Sequence, residues 1–375
     1  MLRPDPAQPA AALRDDLAVW LARSAADEPI VVTTSGSTAR PKRVVLRRSA
    51  VLASADATHA RLGGPGAWLL ALPHAYVAGV QVLVRSLHAG HEPVVRADGE
   101  SLAAAAARLE GPRRYVSLVP TQLHRLLADE IEREGAEKAA GSASRDLDAL
   151  AGLDAVLLGG GPVDPDLRAR AADRGITTVA TYGMAETAGG CVYDGRPLDG
   201  VEVRTDAEAR IWLRGPMIFD RYEHDDAATQ AALVDGWFRT SDVGEVEREA
   251  AGGQLLRVLG RADDVVVSGG VNVPGSVVAA RLRTHPGVAA AEAIGVEDAE
   301  WGRRLVAFVV PASPEATASV PGPTSEELRA WVAAAHPRTW APRTVVFVER
   351  IPRTDRGKVD RGALQQLLAV ATGGR

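Results

Sequence analysis

Ten consecutive residues, Thr33-Thr34-Ser35-Gly36-Ser37-Thr38-Ala39-Arg40-Pro41-Lys42, set hydroxyls, one glycine and two cations directly after the β-branched run Ile30-Val31-Val32. The run reads as a buried strand, so a strand empties into a loop whose successive backbone N–H groups can form an anion-binding nest. The hydroxyls add donors, and Arg40 and Lys42 place positive charge where a polyphosphate would lie. Taken alone, such a loop reads equally well as a solvated turn. It is not a Walker loop, because Pro41 rather than glycine precedes Lys42 and the G-x-x-x-x-G-K-[ST] spacing is absent. A second candidate is Glu186 in Thr181-Tyr182-Gly183-Met184-Ala185-Glu186-Thr187. A carboxylate at a strand end can hold a hard cation that neutralises polyphosphate charge. Between the two, Gly159-Gly160-Gly161-Pro162 would let a flat ring approach the backbone.

The pattern around these residues predicts how they are positioned. Leu13, Leu17, Trp20 and Leu21 recur at helical spacing and predict an amphipathic helix over the strand that leads to the loop. Ser49 is the expected cap of a helix running through Ala60. Residues 67–72, 115–119, 155–158 and 177–180 read as buried strands alternating with helices, including one over 102–109 and one bearing Leu123, Leu126, Leu127 and Ile131. Such alternation predicts an α/β domain with largely parallel sheets, in which ligands gather at the carboxyl edge. The strand over 67–72 ends in Pro73-His74-Ala75-Tyr76-Val77-Ala78-Gly79, and residues 135–148 read as a polar excursion. Further on, short strands and a helix predict a small α+β domain, with Thr324 and Glu327 forming a capping box.

With 375 residues, two or three domains are expected. A net charge of -5 and a pI near 6.0 argue against nucleic acid as a partner, since that requires a concentrated basic face. The N-terminal segment carries prolines and an acid where a secretory leader needs an apolar core, and no apolar run is long enough to span a bilayer, so no membrane insertion is expected. The single cysteine, Cys191, suits a cytoplasmic setting, and the eight histidines show no zinc spacing.

Five segments in fixed order resemble the motifs of the adenylate-forming superfamily of acyl-CoA synthetases, peptide-synthetase adenylation domains and luciferases. They are the loop at 35–42, the Tyr182-Gly183-Met184-Ala185-Glu186 string, Gly236-Trp237-Phe238-Arg239-Thr240-Ser241-Asp242, Gly260-Arg261-Ala262-Asp263, and Pro352-Arg353-Thr354-Asp355-Arg356-Gly357-Lys358-Val359-Asp360-Arg361. The resemblance implies a large N-terminal domain, residues 1–262, and a small mobile C-terminal domain, residues 263–375, joined by a hinge at Asp263. It implies ATP, Mg2+ and coenzyme A as co-substrates and cofactor. Catalytic roles carry over to Lys358, Glu186 and Thr34, with Glu186 on the metal. Nucleotide contacts carry over to Ser35, Gly36, Ser37, Thr38, Lys42, Gly160, Gly161, Pro162, Thr181, Tyr182, Gly183, Met184, Asp242 and Arg261. The acyl side carries over to His74, Tyr76, Val77, Gly79, Gly159, Ala188, Gly189 and Gly190. Ala39, Tyr76 and Ala185 depart from the family's glycine, histidine and threonine, and Asn272-Val273-Pro274-Gly275-Ser276 lacks its usual glutamate.

Two strings, Val119-Pro120-Thr121-Gln122-Leu123-His124-Arg125-Leu126-Leu127 and Gly189-Gly190-Cys191-Val192-Tyr193-Asp194-Gly195, are similar to segments of o-succinylbenzoate-CoA ligases of menaquinone biosynthesis, notably the short actinobacterial-type ones. That resemblance implies an acid with two carboxylates, with Arg125 as the partner of the second. Another acyl or aryl carboxylate adenylating enzyme, delivering to CoA or to a carrier protein, and a non-catalytic nucleotide or acyl-adenylate sensor stay open as alternatives, as does a homodimer.

Overall fold

The computed structural model describes the chain apart from residues 24–26, 35–40, 135–142, 250–251, 263–264, 269–270, 299–301, 313–321, 354–358 and 374–375. It divides into two compact units, one of residues 1–204, 212–240 and 246–256, the other of residues 205–211, 241–245 and 257–375.

The first unit opens with α1 (Ala10–Ala22), whose Leu13, Leu17 and Trp20 are buried as their spacing predicts, with α3 as its helical neighbour (Val77–His88). β1 (Ile30–Thr33) and β2 (Arg43–Leu46) form an antiparallel hairpin. α2 (Arg48–Arg61) follows, and its cap differs from expectation. Ser49 lies inside the first turn, where its backbone N–H donates to Asp27 Oδ1 at 2.9 Å and its hydroxyl to Oδ2 at 3.1 Å. A carboxylate distant in the chain satisfies the helix start better than a neutral hydroxyl would, since it also meets the positive end of the helix dipole.

The central sheet has the order β4-β3-β5-β6-β7-β8-β9. β3 (Ala67–Leu70), β4 (Val94–Val95), β5 (Arg114–Leu118), β6 (Ala155–Leu158) and β7 (Thr178–Met184) are parallel, whereas β8 (Gly189–Tyr193) and β9 (Arg196–Pro197) are antiparallel additions. Strand alternation sorts the two faces. Leu69, Val116, Leu118, Val156 and Leu158 meet the leucines of α4 (Leu102–Ala106), α5 (Pro120–Glu134), α6 (Ala143–Ala151) and α7 (Pro165–Asp173). Trp68 and Tyr115 point to the other side, with ring centroids 4.9 Å apart. The helix α6 begins inside the stretch read as a polar excursion and runs past its end. Its Leu147 and Leu150 are fully buried among polar neighbours, an amphipathic pattern that the surrounding Ala, Gly and Ser mask.

β7 is longer than expected and carries the Thr181–Met184 motif within the strand, because β8 turns back and pairs Thr181 with Tyr193 and Met184 with Gly189. β12 (Arg221–Tyr222) joins the hairpin as its third strand, pairing Tyr222 with Val44. A further sheet contains β10 (Glu202–Thr205), β11 (Arg210–Arg214), β13 (Leu233–Val234), β14 (Trp237–Arg248) and β15 (Gln254–Arg261), with α8 (Asp226–Ala232) preceding β13.

The second unit is α+β. Its sheet has the order β17-β16-β19-β18, with β20 (Thr344–Phe347) parallel to β19 (Gly302–Pro311). β16 (Val265–Ser268), β17 (Val271–Pro274) and β18 (Val288–Asp298) complete it. One face packs α9 (Gly275–Arg283) and α10 (Ser325–Ala333) through Val278, Leu282, Leu328 and Val332; the other packs α11 (Arg361–Gly373) through Leu364 and Leu368. The capping box forms as its spacing predicts. Thr324 Oγ1 accepts from the Glu327 N–H at 3.2 Å, and Glu327 Oε2 accepts from the Thr324 N–H at 2.8 Å.

Candidate active site

The two ends of the hydroxyl-rich loop are tied together. Thr34 N–H donates to Lys42 O at 2.8 Å, and Lys42 N–H donates to Thr34 Oγ1 at 3.0 Å. Thr34 therefore closes the neck of the loop, while Ser35, Gly36, Ser37 and Thr38 lie outside the described residues. The hairpin pairing explains the clasp, because Thr33 and Arg43 are register partners and the chain must return within nine residues.

From that neck a chain of contacts leads to Glu186. The Lys42 Nζ lies 4.3 Å from the centroid of the Tyr222 ring, and the Tyr222 hydroxyl donates to Glu186 Oε1 at 2.9 Å. Both Tyr222 and Glu186 are buried. Burial, with the Glu186 charge second, pushes the Tyr222 phenol far above its ordinary value, so it stays a proton donor at every working pH. The Glu186 backbone is held as well, its carbonyl accepting from Phe219 N–H at 2.8 Å. Thr187 fixes the turn that presents it. Its Oγ1 accepts from Met184 N–H at 2.9 Å and lies 2.6 Å from Gly189 O, to which it donates, while Ala188 takes a left-handed φ of 48°.

One carboxylate is enough for the metal this site would take. Magnesium keeps several waters and is bound through one or two carboxylates plus substrate phosphates. A Glu186 held through one oxygen fits that demand, and among the described residues no group of three or more His, Cys, Asp or Glu offers an all-protein cage.

The carboxyl ends of β6 and β7 bring the Gly159-Gly160-Gly161-Pro162 run and the Thr181–Met184 motif together. Gly159 allows close packing of the two strands, since a Cβ there would stand 2.5 Å from Thr181 Oγ1, which itself donates to Leu158 O at 3.2 Å. Gly183 is stricter still, because its Cβ would fall 2.0 Å from Gly189 O at the point where the β7–β8 register shifts. Gly161 faces open space beside Gly160 and Pro162. Thr181, Tyr182, Gly183 and Met184 thus share one strand end with Gly159. A recess of about 490 Å³ lined by Leu109, Pro112, Arg114 and Asp154 sits at the other, amino ends of β5 and β6, away from these residues.

In the segment expected to meet the acyl group, Gly79 lets the start of α3 pass close over Pro73, whose carbonyl would be 2.3 Å from a Cβ. Tyr76 precedes the helix that begins at Val77, and His74 Nε2 is 3.3 Å from Asp5 O. Behind Ala188-Gly189-Gly190 lies a polar stripe that sequence reasoning missed. Ala188 O accepts from Ser54 Oγ at 3.0 Å and Gln81 Nε2 at 2.7 Å. Arg85, 4% exposed, puts Nη2 3.8 Å from where a Gly189 Cβ would be and 3.3 Å from the Tyr193 hydroxyl, to which it donates. No carboxylate among the described residues pairs with it, and burial lowers its pKa from the ordinary guanidinium value. Gln81 and Arg85 stand four apart on one helix face, within and directly after the apolar run of α3 from Val77 to Val84, which is the signal that could have found them. Arg125 lies on the exposed face of α5. Cys191 is inert, because burial pushes its thiol up to about 12.

In the second unit, Asp242 lies on β14 and Arg261 ends β15. Asp263 and Lys358 are outside the described residues.

A family model described as AMP-binding enzyme matches residues 6–222, and one described as AMP-binding enzyme C-terminal domain matches residues 278–358. The chain belongs to the AMP-binding enzymes, the membership that its motif order predicts. It is 45% identical over 348 residues to a probable 2-succinylbenzoate–CoA ligase of Mycobacterium tuberculosis, covering 92% of this chain and 85% of that one. A 2-succinylbenzoate–CoA ligase of Bacillus cereus is 30% identical over 363 residues, or 90% of this chain and 70% of that one. The solved o-succinylbenzoate CoA synthetase of Bacillus subtilis in complex with its acyl-adenylate intermediate is similar at a TM-score of 0.70 and 26% identity, over 90% of this chain and 68% of that one. An amide bond synthetase of Marinactinospora thermotolerans is similar at 0.71 and 28%, over 90% and 69%. No helix among the described residues is long and apolar enough to cross a membrane.

Proposed function

We propose that this chain is an ATP-dependent carboxylate-CoA ligase acting on o-succinylbenzoate in the cytoplasm. The substrate carboxylate attacks the α-phosphate of ATP and pyrophosphate leaves. The CoA thiol then attacks the acyl carbon and AMP leaves. Neither step needs an enzyme nucleophile, in keeping with an inert Cys191. The work is positioning and charge stabilisation. The observation that carries this reading is the linked Lys42, Tyr222 and Glu186 at the neck of the loop, which brings a cation and a metal-competent carboxylate to one place.

Each residue then has a task. Lys42 and the loop over 35–40 bind the polyphosphate, and Lys358 bridges substrate and phosphate oxygens during adenylation. Tyr182 stacks on the adenine with Gly160, Gly161 and Pro162 beneath it, and Asp242 and Arg261 take the ribose. Magnesium on Glu186, when bound, neutralises phosphate charge in the transition state. Asp263 pivots the C-terminal domain between the two half-reactions. The second carboxylate of the acid has two candidate partners. Arg125 is an exposed helix cation; Arg85 is a buried cation without a carboxylate partner among the described residues, and an acid with a second carboxylate would supply one.

Pyrophosphate release with ATP, magnesium and o-succinylbenzoate, compared with a monocarboxylate of similar size, tests the proposal. CoA ester formation from o-succinylbenzoate alone is expected. Equal turnover of both acids would remove the substrate assignment, and no pyrophosphate from any acid would remove the reaction.

A further inference from the structure

Lys42 and Glu186 come from distant parts of the chain, yet one side chain touches both. Tyr222 pairs in register with Val44, and its ring meets Lys42, which stands two residues before Val44 at the entrance to the neighbouring strand. Its backbone N–H donates to Thr229 Oγ1 at 3.0 Å, and the flanking Asp220 N–H donates to Val45 O at 2.9 Å. The Phe219 ring packs against it at 4.8 Å and is itself met edge-on by Phe238 at 5.3 Å. With 4% of its surface exposed, the ring has a single place to be. Glutamate by contrast has three side-chain torsions, and an unheld carboxylate loses that freedom only when a ligand arrives.

We propose that Tyr222 is a positioning residue for adenylation: its hydroxyl holds the Glu186 carboxylate and its ring face holds the Lys42 ammonium, so the two charges stand at a fixed separation before ATP arrives. The bond to Oε1 leaves Glu186 Oε2 for a hard cation, and the cation–π contact leaves the Lys42 N–H donors for phosphate oxygens. Tyr222 acts through these two groups, and the inference rests on the reading of Glu186 as the magnesium carboxylate.

Calorimetric titration of ATP, with and without magnesium, reads this directly, because the ratio of the two affinities measures how well the carboxylate is placed. Tyr222→Phe keeps the ring and is expected to lower that ratio about tenfold, with magnesium-free affinity and melting temperature close to wild type. Tyr222→Leu also loses the stack on Lys42 and should weaken magnesium-free ATP binding about threefold. In a double-mutant cycle, adding Tyr222→Phe to Glu186→Gln should change nothing further. An unchanged ratio in Tyr222→Phe, with or without a lower melting temperature, overturns the proposal, and so do effects that simply add in the cycle. A wild type that binds no ATP fails differently, since it removes the nucleotide site itself.

Discussion

Glu186 and Arg85 flank the same turn into β8 and are held in opposite ways. The carboxylate receives a hydrogen bond from Tyr222 and sits beside a cation that shares the ring. The guanidinium is buried against Trp68, 5.1 Å from the ring centroid, with the Tyr193 hydroxyl as acceptor and its Nε without one. His59 Nε2, Trp68 Nε1 and Gln81 Oε1 are also buried and unpartnered. Such atoms are normally completed by ordered water or by a ligand. The comparison separates two kinds of function. Among the described residues, Glu186 and Lys42 meet a protein partner in Tyr222, whereas the buried polar atoms behind Ala188-Gly189-Gly190 are left for water or a ligand to complete.

The largest effects should fall on the shared chemistry and leave acid preference alone. Lys358→Ala is expected to slow adenylation by about 100-fold or more while thioester formation from supplied acyl-adenylate persists, as the proposed presentation of Lys358 in the first half-reaction alone requires. Single-turnover assays of each half-reaction check this, and equal losses in both would contradict the assignment. Asp263→Pro is the converse. Proline fixes φ and should trap the adenylating pose, so pyrophosphate exchange survives and CoA ester yield collapses. An undiminished ester yield would move the hinge elsewhere.

Next come the variants that change preference and spare the chemistry. Arg85→Met removes a buried charge and keeps most of the packing. If Arg85 holds the second carboxylate, KM for o-succinylbenzoate should rise about 30-fold or more, with ATP affinity unchanged and the melting temperature equal or higher, since apolar replacement of an uncompensated charge is often stabilising. Arg125→Ala should then do little. The opposite pattern, a large KM effect at Arg125 and none at Arg85, would give the subsite to α5 and leave the buried guanidinium to ordered water.

How much of this was legible in the chain follows from the same contrast. The parallel sheet, the capping box at Thr324 and the order of the motifs rest on local periodicity and turn chemistry, and all were readable. Tyr222 was not, because nothing about Arg221-Tyr222 announces a strand until β2 pairs with it, and its partner Glu186 is distant in sequence. Asp27 displaced Ser49 as the α2 cap for the same reason: the better acceptor arrives through tertiary structure. Arg85 was passed over because a cation in an apolar helix normally reads as a solvated one, and only the packing of β8 on α3 shows that no solvent remains. Gly183 is named by its motif, but the carbonyl of Gly189 that forbids a side chain there belongs to β8, a strand with no counterpart in the expectations from sequence.

The smallest expected effect lies in stability against acid, and it probes the unpaired cluster without any ligand. His59 on α2 is buried, and its pKa falls from 6.5 to about 4, first through burial and then through the nearby Arg85 charge. The folded protein therefore keeps His59 neutral over a range in which the unfolded chain protonates it. Stability from this group is complete above about pH 6.5 and is lost as pH falls from there towards 4, below which both states are protonated and the slope vanishes. The full shift is worth at most ~3 kcal/mol, and solvent screening brings the expected loss nearer ~2 kcal/mol. Chemical denaturation across pH 4 to 7 would show it as a slope that His59→Leu removes. Arg85→Met should reduce the slope without abolishing it, since burial remains while the repelling charge goes. If the slope is the same in both variants and wild type, His59 is reached by solvent, and the buried, unpartnered state of that side of the site is wrong. If Arg85→Met alone leaves the slope untouched, His59 and Arg85 are independent, and the cluster behind Gly189 is two separate burials.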